Sequence, residues 1–286
     1  MRTLLLLFTL SFTLIGSTEA QNFQLGFSVG SSVYLGDMDS PNYADKIDDL
    51  NPALGFFFRQ PINNHFSVKL NFIRGTLSAA DSVSTLDWQL SRNMSFRTPY
   101  SELGAFIEYD VFDVSSARSQ RWWTPFFTVG LGYFHFNPTT ILDGDVIDLQ
   151  PVGTEGQGLD GYAPKYATNI MSLPIGGGFK FRLTSAISIQ AQMINRFTFT
   201  DYIDDVSAFE YPAYADLVAK GATPLQQLLY SREWESLGQA GPTVKEFGER
   251  KASPDVKDYV MTGTFSIYIN IGELGSDAGE GCNTAF

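Results

Sequence analysis

Apolar and polar residues alternate with a period of two in one segment of this chain after another. Phe23, Leu25, Phe27 and Val29 alternate with Gln24, Gly26, Ser28 and Gly30. Successive side chains of a strand point to opposite faces, so this pattern predicts a strand with one apolar face and one small or polar face. The second segment, Ala53 to Arg59, carries Leu54, Phe56 and Phe58 on the apolar side. The third sets Phe66, Val68, Leu70 and Phe72 against Ser67, Lys69 and Asn71. The fourth sets Leu103, Ala105, Ile107 and Tyr109 against Glu102, Gly104, Glu108 and Asp110. Phe127 to Tyr133, Leu173 to Leu183, Ile187 to Met193 and Tyr259 to Ile269 repeat the pattern. The pattern predicts eight strands of about ten residues, enough to cross a bilayer at a tilt.

The connections sort into two kinds. Pro61 to Asn64 and Thr184-Ser185 are tight, and Asp113 to Arg121 is moderate. Between them lie Asp37 to Leu50, Ser78 to Pro99, Asn137 to Ala167 and Tyr202 to Lys257. Short and long links alternate, which is the layout of an outer-membrane β-barrel with short periplasmic turns and long extracellular loops. Within the last long link, Thr223-Pro224 reads as a helix N-cap followed by proline at the first helical position. Leu225, Leu228 and Leu229 supply a stripe, and Gly238 a stop, so a helix is expected over Pro224 to Leu237.

The start of the chain reads as an export signal. Arg2 precedes an apolar run from Leu4 to Ile15, and Ser17 to Ala20 offers a small-residue cleavage site. That run is too short for a membrane-spanning helix, and no longer apolar run follows. Only helices and closed barrels satisfy every backbone polar group in lipid. The expected organisation is therefore a signal peptide at 1–20, a transmembrane barrel at 21–271 and a periplasmic tail at 272–286. Both termini would lie in the periplasm, in a Gram-negative envelope. A soluble eight-stranded barrel of the lipocalin kind shares the periodicity but turns its apolar faces inward around a ligand. It would expose more Lys and Glu and has no need of long links at one end only.

Charge and candidate chemistry refine this picture. Nineteen basic and 31 acidic residues leave a net charge of −12. That argues against a nucleic-acid partner, which would want a basic face. The single cysteine, Cys282, cannot form an internal disulfide, and no Cys/His cluster suggests a metal site. The polar faces carry Arg59, Lys69, Glu102, Glu108, Asp110, Lys180, Arg182 and Arg196. Eight strands enclose room for side chains and no aqueous channel, so these charges are expected to pair across the lumen as a structural network. Trp122, Trp123, Phe126, Tyr109 and Phe112 are expected in one aromatic belt, and Tyr34, Tyr133, Phe134, Phe197, Phe199 and Tyr202 in the other. Catalysis at an outer rim would need a His with a Ser or carboxylate partner. His65 falls beside a short turn, and His135 on the same face as Tyr133. Asp143-Gly144-Asp145 with Asp148 resembles a fragment of a calcium loop, but the closing Glu is absent and a solvated acidic loop is the expected reading. No cofactor, metal or small-molecule substrate is expected, and the partners are outer-membrane lipid and other envelope proteins.

Several short pieces follow one another along the chain: Gly30 to Asp37, Asn51-Pro52-Ala53-Leu54-Gly55, Glu102-Leu103-Gly104-Ala105 with Glu108-Tyr109, and Thr124-Pro125-Phe126. Leu173 to Gly178, Phe197 to Asp205 and Asp258-Tyr259 complete the set. In this order they resemble the PorG-like outer-membrane barrels, a family with a component of the type IX secretion system. The resemblance implies a non-enzymatic barrel that contacts periplasmic ring proteins of a protein secretion machinery, one of them a lipoprotein. A stand-alone surface barrel for adhesion or envelope integrity is the alternative expectation, and a lipid-modifying enzyme a third.

Overall fold

The structure is a computed structural model that describes residues 23–38, 50–114, 121–245, 249, 251–252 and 257–271. The expected export signal, most of the Asp37 to Leu50 link, Cys282 and the tail at 272–286 lie outside these residues. Ten strands are present: β1 (Gln24–Leu35), β2 (Asn51–Pro61), β3 (Phe66–Ala80), β4 (Ser95–Asp110), β5 (Trp123–Phe136), β6 (Thr139–Leu142), β7 (Asp145–Asp148), β8 (Asn169–Arg182), β9 (Ile187–Phe197) and β10 (Tyr259–Asn270).

Eight of them form the wall. Each neighbour pair is antiparallel in the order β1, β2, β3, β4, β5, β8, β9, β10, and β10 pairs back onto β1 from Gln24↔Asn270 to Leu35↔Tyr259. The sheet is a closed barrel with no free edge, as a wall surrounded by hydrocarbon requires. Wall strands run from 11 residues in β2 and β9 to 16 in β4, longer than the ten expected. The excess lies at the long-loop end, where β3 and β4 stay paired out to Ala80↔Ser95. Polar faces beyond the apolar stretch hide this extension from a search for alternation.

The apolar faces point outward. Phe265 is 71 % exposed, Phe127 63 % and Leu131 62 %. A fold with its greasy side chains turned out and its charges turned in is the reverse of a soluble barrel. No helix among the described residues is long and apolar enough to cross a membrane. The inner face is less uniform than its polar residues suggest. Phe57, Phe106, Phe126, Phe134 and Phe136 are buried inside the wall, so Phe126 and Phe134, which fall on the inward parity of β5, are not belt residues. Gly26 leaves the space that the Phe57 ring fills, since a Cβ there would meet the ring at 2.2 Å.

The long links are built, not loose. β6 and β7 form a hairpin over Asn137 to Ala167 and attach to the wall by the pair Arg97↔Thr139. Its turn is Asp143-Gly144, both at positive φ (52° and 89°). Asp-Gly is the usual sequence for such a two-residue turn, so the acidic fragment is a hairpin tip rather than part of a calcium loop. The expected helix is shorter and broken. Pro224–Tyr230 is helical behind a complete Thr223/Gln226 capping box, and a separate turn covers Glu233–Ser236. Leu149, Ile203, Val206, Tyr211, Leu217, Leu229 and Tyr230 pack onto Tyr34, Phe96, Tyr100 and Phe134 of the wall. The loops thus form a cap with its own apolar core, seated in the long-loop mouth.

Candidate functional site

Two layers of charge seal the lumen. Near the short-turn end, the Glu108 carboxylate from β4 meets Arg59 Nε of β2 at 2.7 Å, Lys180 Nζ of β8 at 2.8 Å and Lys69 Nζ of β3. Lys180 also meets Asp110 at 2.7 Å. Further in, Arg196 of β9 meets Glu102 at 3.0 Å and donates to Thr262 Oγ1 at 2.6 Å, while Ser172 Oγ donates to Glu102 at 2.8 Å. Glu102, Glu108 and Lys69 are wholly buried. Charges this deep persist because each has partners, since one left alone would cost several kcal/mol. The inner aromatic rings join them: Arg59 lies 4.7 Å from the Phe57 ring centre, Lys69 5.0 Å from Phe106 and Lys180 4.7 Å from Phe126. Arg182 sits at the short-turn mouth and donates to the Val114 carbonyl at 3.0 Å. The cavity bounded by Gln24, Arg59, Asp110 and Lys180 holds about 30 Å³, room for about one water and no passage.

The belt residues divide. Trp122, Tyr109, Tyr133 and Phe199 are exposed on the outside. Trp123 is half-buried between Phe112 and Phe179, at 5.7 and 6.2 Å. Tyr34 is not a belt residue. It shares the inward parity of Ser28, Gly30 and Ser32 and is buried in the cap. Tyr202 is not one either: its ring stacks on Tyr166 at 4.4 Å.

Tyr34 instead anchors the cap. Its hydroxyl lies 2.7 Å from both Asp204 Oδ2 and Asp258 Oδ1, and it accepts from the Asp37 N–H at 2.9 Å. One hydroxyl proton serves one carboxylate, so the second short contact needs a carboxyl proton. Burial, with repulsion from neighbouring carboxylates (Asp258 and Asp37 on Asp204, Asp201 and Asp37 on Asp258), pushes both well above the usual carboxylate range. Asp258 also accepts from the Ile203 N–H at 2.8 Å, and Asp204 from that of Val206 at 2.9 Å. Beside them, burial pushes Asp205 up to about 7, although Thr154 donates to it at 2.6 Å and Tyr166 also bonds it. Glu155 meets buried Lys251 at 2.9 Å, and Asp81 pairs with Arg92 at 2.6 Å. Sequence reading gave no sign of this acid-lined anchor, because Asp201, Asp204, Asp205 and Asp258 lie within or beside the long link Tyr202 to Lys257 and carry no motif. The one available signal was the parity of Tyr34.

His135 and His65 each make one side-chain hydrogen bond to another described residue. His135 Nδ1 lies 3.0 Å from Asn169 Oδ1 on the outer wall, and His65 Nδ1 2.8 Å from the Asp110 carbonyl. Among the described residues no group of three His, Cys, Asp or Glu side chains is arranged to hold a metal ion.

A family model described as "Domain of unknown function (DUF6089)" matches residues 2–218. No curated protein matches the sequence. Among solved structures the chain is similar to Neisserial surface protein A, at 8 % identity and TM-score 0.43, covering 87 % of this chain and 97 % of that one. Ail, the attachment invasion locus protein of Yersinia pestis, is similar at 10 % identity and TM-score 0.38, covering 87 % and 97 %. The outer membrane enzyme PagL is similar at 10 % identity and TM-score 0.30, covering 87 % and 99 %.

Proposed function

The chain belongs to the DUF6089 family, and from that premise we propose that it is a non-enzymatic outer-membrane barrel acting as an anchor in a protein assembly. The observation that carries this reading is the sealed lumen: the Glu108 and Glu102 clusters fill the interior with paired charges. A plugged barrel conducts nothing, and its usable surfaces are its wall, its short turns and its cap. The outward apolar faces support outer-membrane placement, with the long-loop cap outside and both termini in the periplasm. The assembly favoured by the sequence resemblance is the type IX secretion machinery, where the short-turn end would meet ring proteins or a lipoprotein.

Two measurements test this. In intact cells, a membrane-impermeant thiol reagent should label Val146→Cys at the hairpin and leave Asn63→Cys at the short turn unlabelled. The reverse pattern would overturn the orientation. The full-length protein, crosslinked and purified from detergent-solubilised envelope, should bring down a periplasmic ring protein or a lipoprotein. Recovery of the barrel alone would remove the secretion role.

The folded cap supports a second reading as a stand-alone surface barrel for adhesion or envelope integrity. Replacing the hairpin Thr139–Asp148 by a short Gly-Ser turn should then impair surface binding or detergent resistance while leaving the barrel folded.

A further inference from the structure

The outer wall carries almost no charge. Taking every outward-facing position on the eight wall strands, only two hold an ionised side chain, and both are arginine: Arg74 on β3 and Arg97 on β4. Both are exposed. Neither engages a hydrogen bond, ion pair or ring through its side chain among the described residues. This pairing of bare cations is unusual in a chain of net charge −12, where acids are plentiful and every other arginine of the wall strands has partners.

Their place on the wall is informative. Arg74 pairs across the strands with Leu54 on one side and Ser101 on the other, and Ser101 continues to His135. Arg97 pairs with Ser78, four residues further out. Below them the same faces read Phe72, Leu70, Val68 and Phe66 on β3 and Leu103, Ala105, Ile107 and Tyr109 on β4. From Phe66 to Arg74 is a rise of about 26 Å along the strand, or about 20 Å along the membrane normal at the usual tilt. An apolar band is about 25 Å tall. Arg74 therefore lies at the edge of the band, where a long side chain snorkels toward headgroups. Arg97 stands about 10 Å higher on the same estimate. Two unpaired guanidinium groups at headgroup depth, on neighbouring strands, complement a ligand with fixed negative charges. Guanidinium favours phosphate through paired, charge-assisted hydrogen bonds.

We propose that Arg74 and Arg97 form a docking surface on the outer wall for the phosphates of an anionic glycolipid of the outer leaflet. The neighbouring apolar face of Leu54, Phe72 and Leu103 accepts its acyl chains. This rests on the outer-membrane reading above.

The test uses the full-length barrel, folded in an uncharged detergent and titrated with lipid A bearing two phosphates. Binding is followed by native mass spectrometry. Arg74→Gln and Arg97→Gln should each weaken binding about tenfold, as expected for loss of one charge-assisted contact, and the double variant about a hundredfold. Dephosphorylated lipid A should bind wild-type protein no better than the intact lipid binds the double variant. Equal binding of the intact lipid by wild type and double variant would overturn the proposal. Competition by inorganic phosphate at equal concentration would overturn it as a lipid site. Insertion into phosphatidylcholine vesicles separates the two levels of the argument. If wild-type protein fails to insert, the membrane reading falls. If it inserts and the arginines do not matter, this inference alone falls.

Discussion

At the scale of single residues, the wall depends on a few buried charges. Glu108 is shared by Arg59, Lys69 and Lys180. Glu108→Gln keeps the shape and removes the charge, leaving Asp110 as the acid beside three clustered bases. The expected loss is about 3–5 kcal/mol of unfolding free energy, the range for breaking a buried ion pair. Urea unfolding from lipid vesicles, read by tryptophan fluorescence, measures it. Asp205 makes an opposite kind of prediction. Its carboxyl is pushed up to about 7, above the unfolded value of about 3.9. The folded cap thus holds a proton that the unfolded chain releases. The stabilisation is fully present below about pH 4 and is lost as pH rises through about 7. Asp204 and Asp258 are shifted the same way. The cap's near-UV circular dichroism should therefore melt at a lower temperature at pH 8 than at pH 4. Asp205→Asn should flatten that dependence, and superimposable profiles would contradict the assignment.

At the scale of elements, strands and loops were legible to different depths. Alternation located all eight wall strands, because a sheet with one face in lipid cannot tolerate a slip of one residue. It under-read their lengths, since β3 and β4 continue past the apolar face with polar outward positions, held there by their pairing and by Leu77, Ala79 and Phe96 in the apolar core under the loops. The hairpin β6–β7 leaves its mark in the sequence as Asp143-Gly144, a signal that the surrounding acids present equally as a solvated loop. Glycines mark where strands press together. A Cβ on Gly178 would lie 1.9 Å from the Ala191 carbonyl oxygen, whereas one on Gly263 would meet nothing within 4 Å. Gly178→Ala should cost about 1–3 kcal/mol, typical of overpacking, and lower the yield of folded barrel. Gly263→Ala should be indistinguishable from wild type in the same refolding assay.

At the scale of the whole molecule, there are two packed bodies, the charge-filled lumen and the apolar cap. They meet at Tyr34, Tyr100 and Phe134 on the wall and at Ile203, Val206 and Tyr230 in the loops. The wall is a continuous ring of backbone hydrogen bonds, while the cap is tied by short segments and side chains. Local stability follows such differences, so the cap should open before the wall. Calorimetry of the protein in vesicles should show two transitions, the lower one alone moving with pH between 4 and 8. A single transition would mean that cap and wall unfold as one unit.

The sequence by itself determined the strands, the outward side of each and the charges of the lumen, because a two-residue period maps directly onto two faces and lipid permits only one of them. Partners within the lumen, the inward turn of Tyr34, the burial of Asp204 and Asp258 and the placement of Arg74 and Arg97 on neighbouring strands were decided by tertiary structure. Those facts depend on which strands close the ring and at what register, and on loops folding back over the mouth. Such contacts join residues as far apart as Tyr34 and Asp258, a separation over which local pattern carries no information.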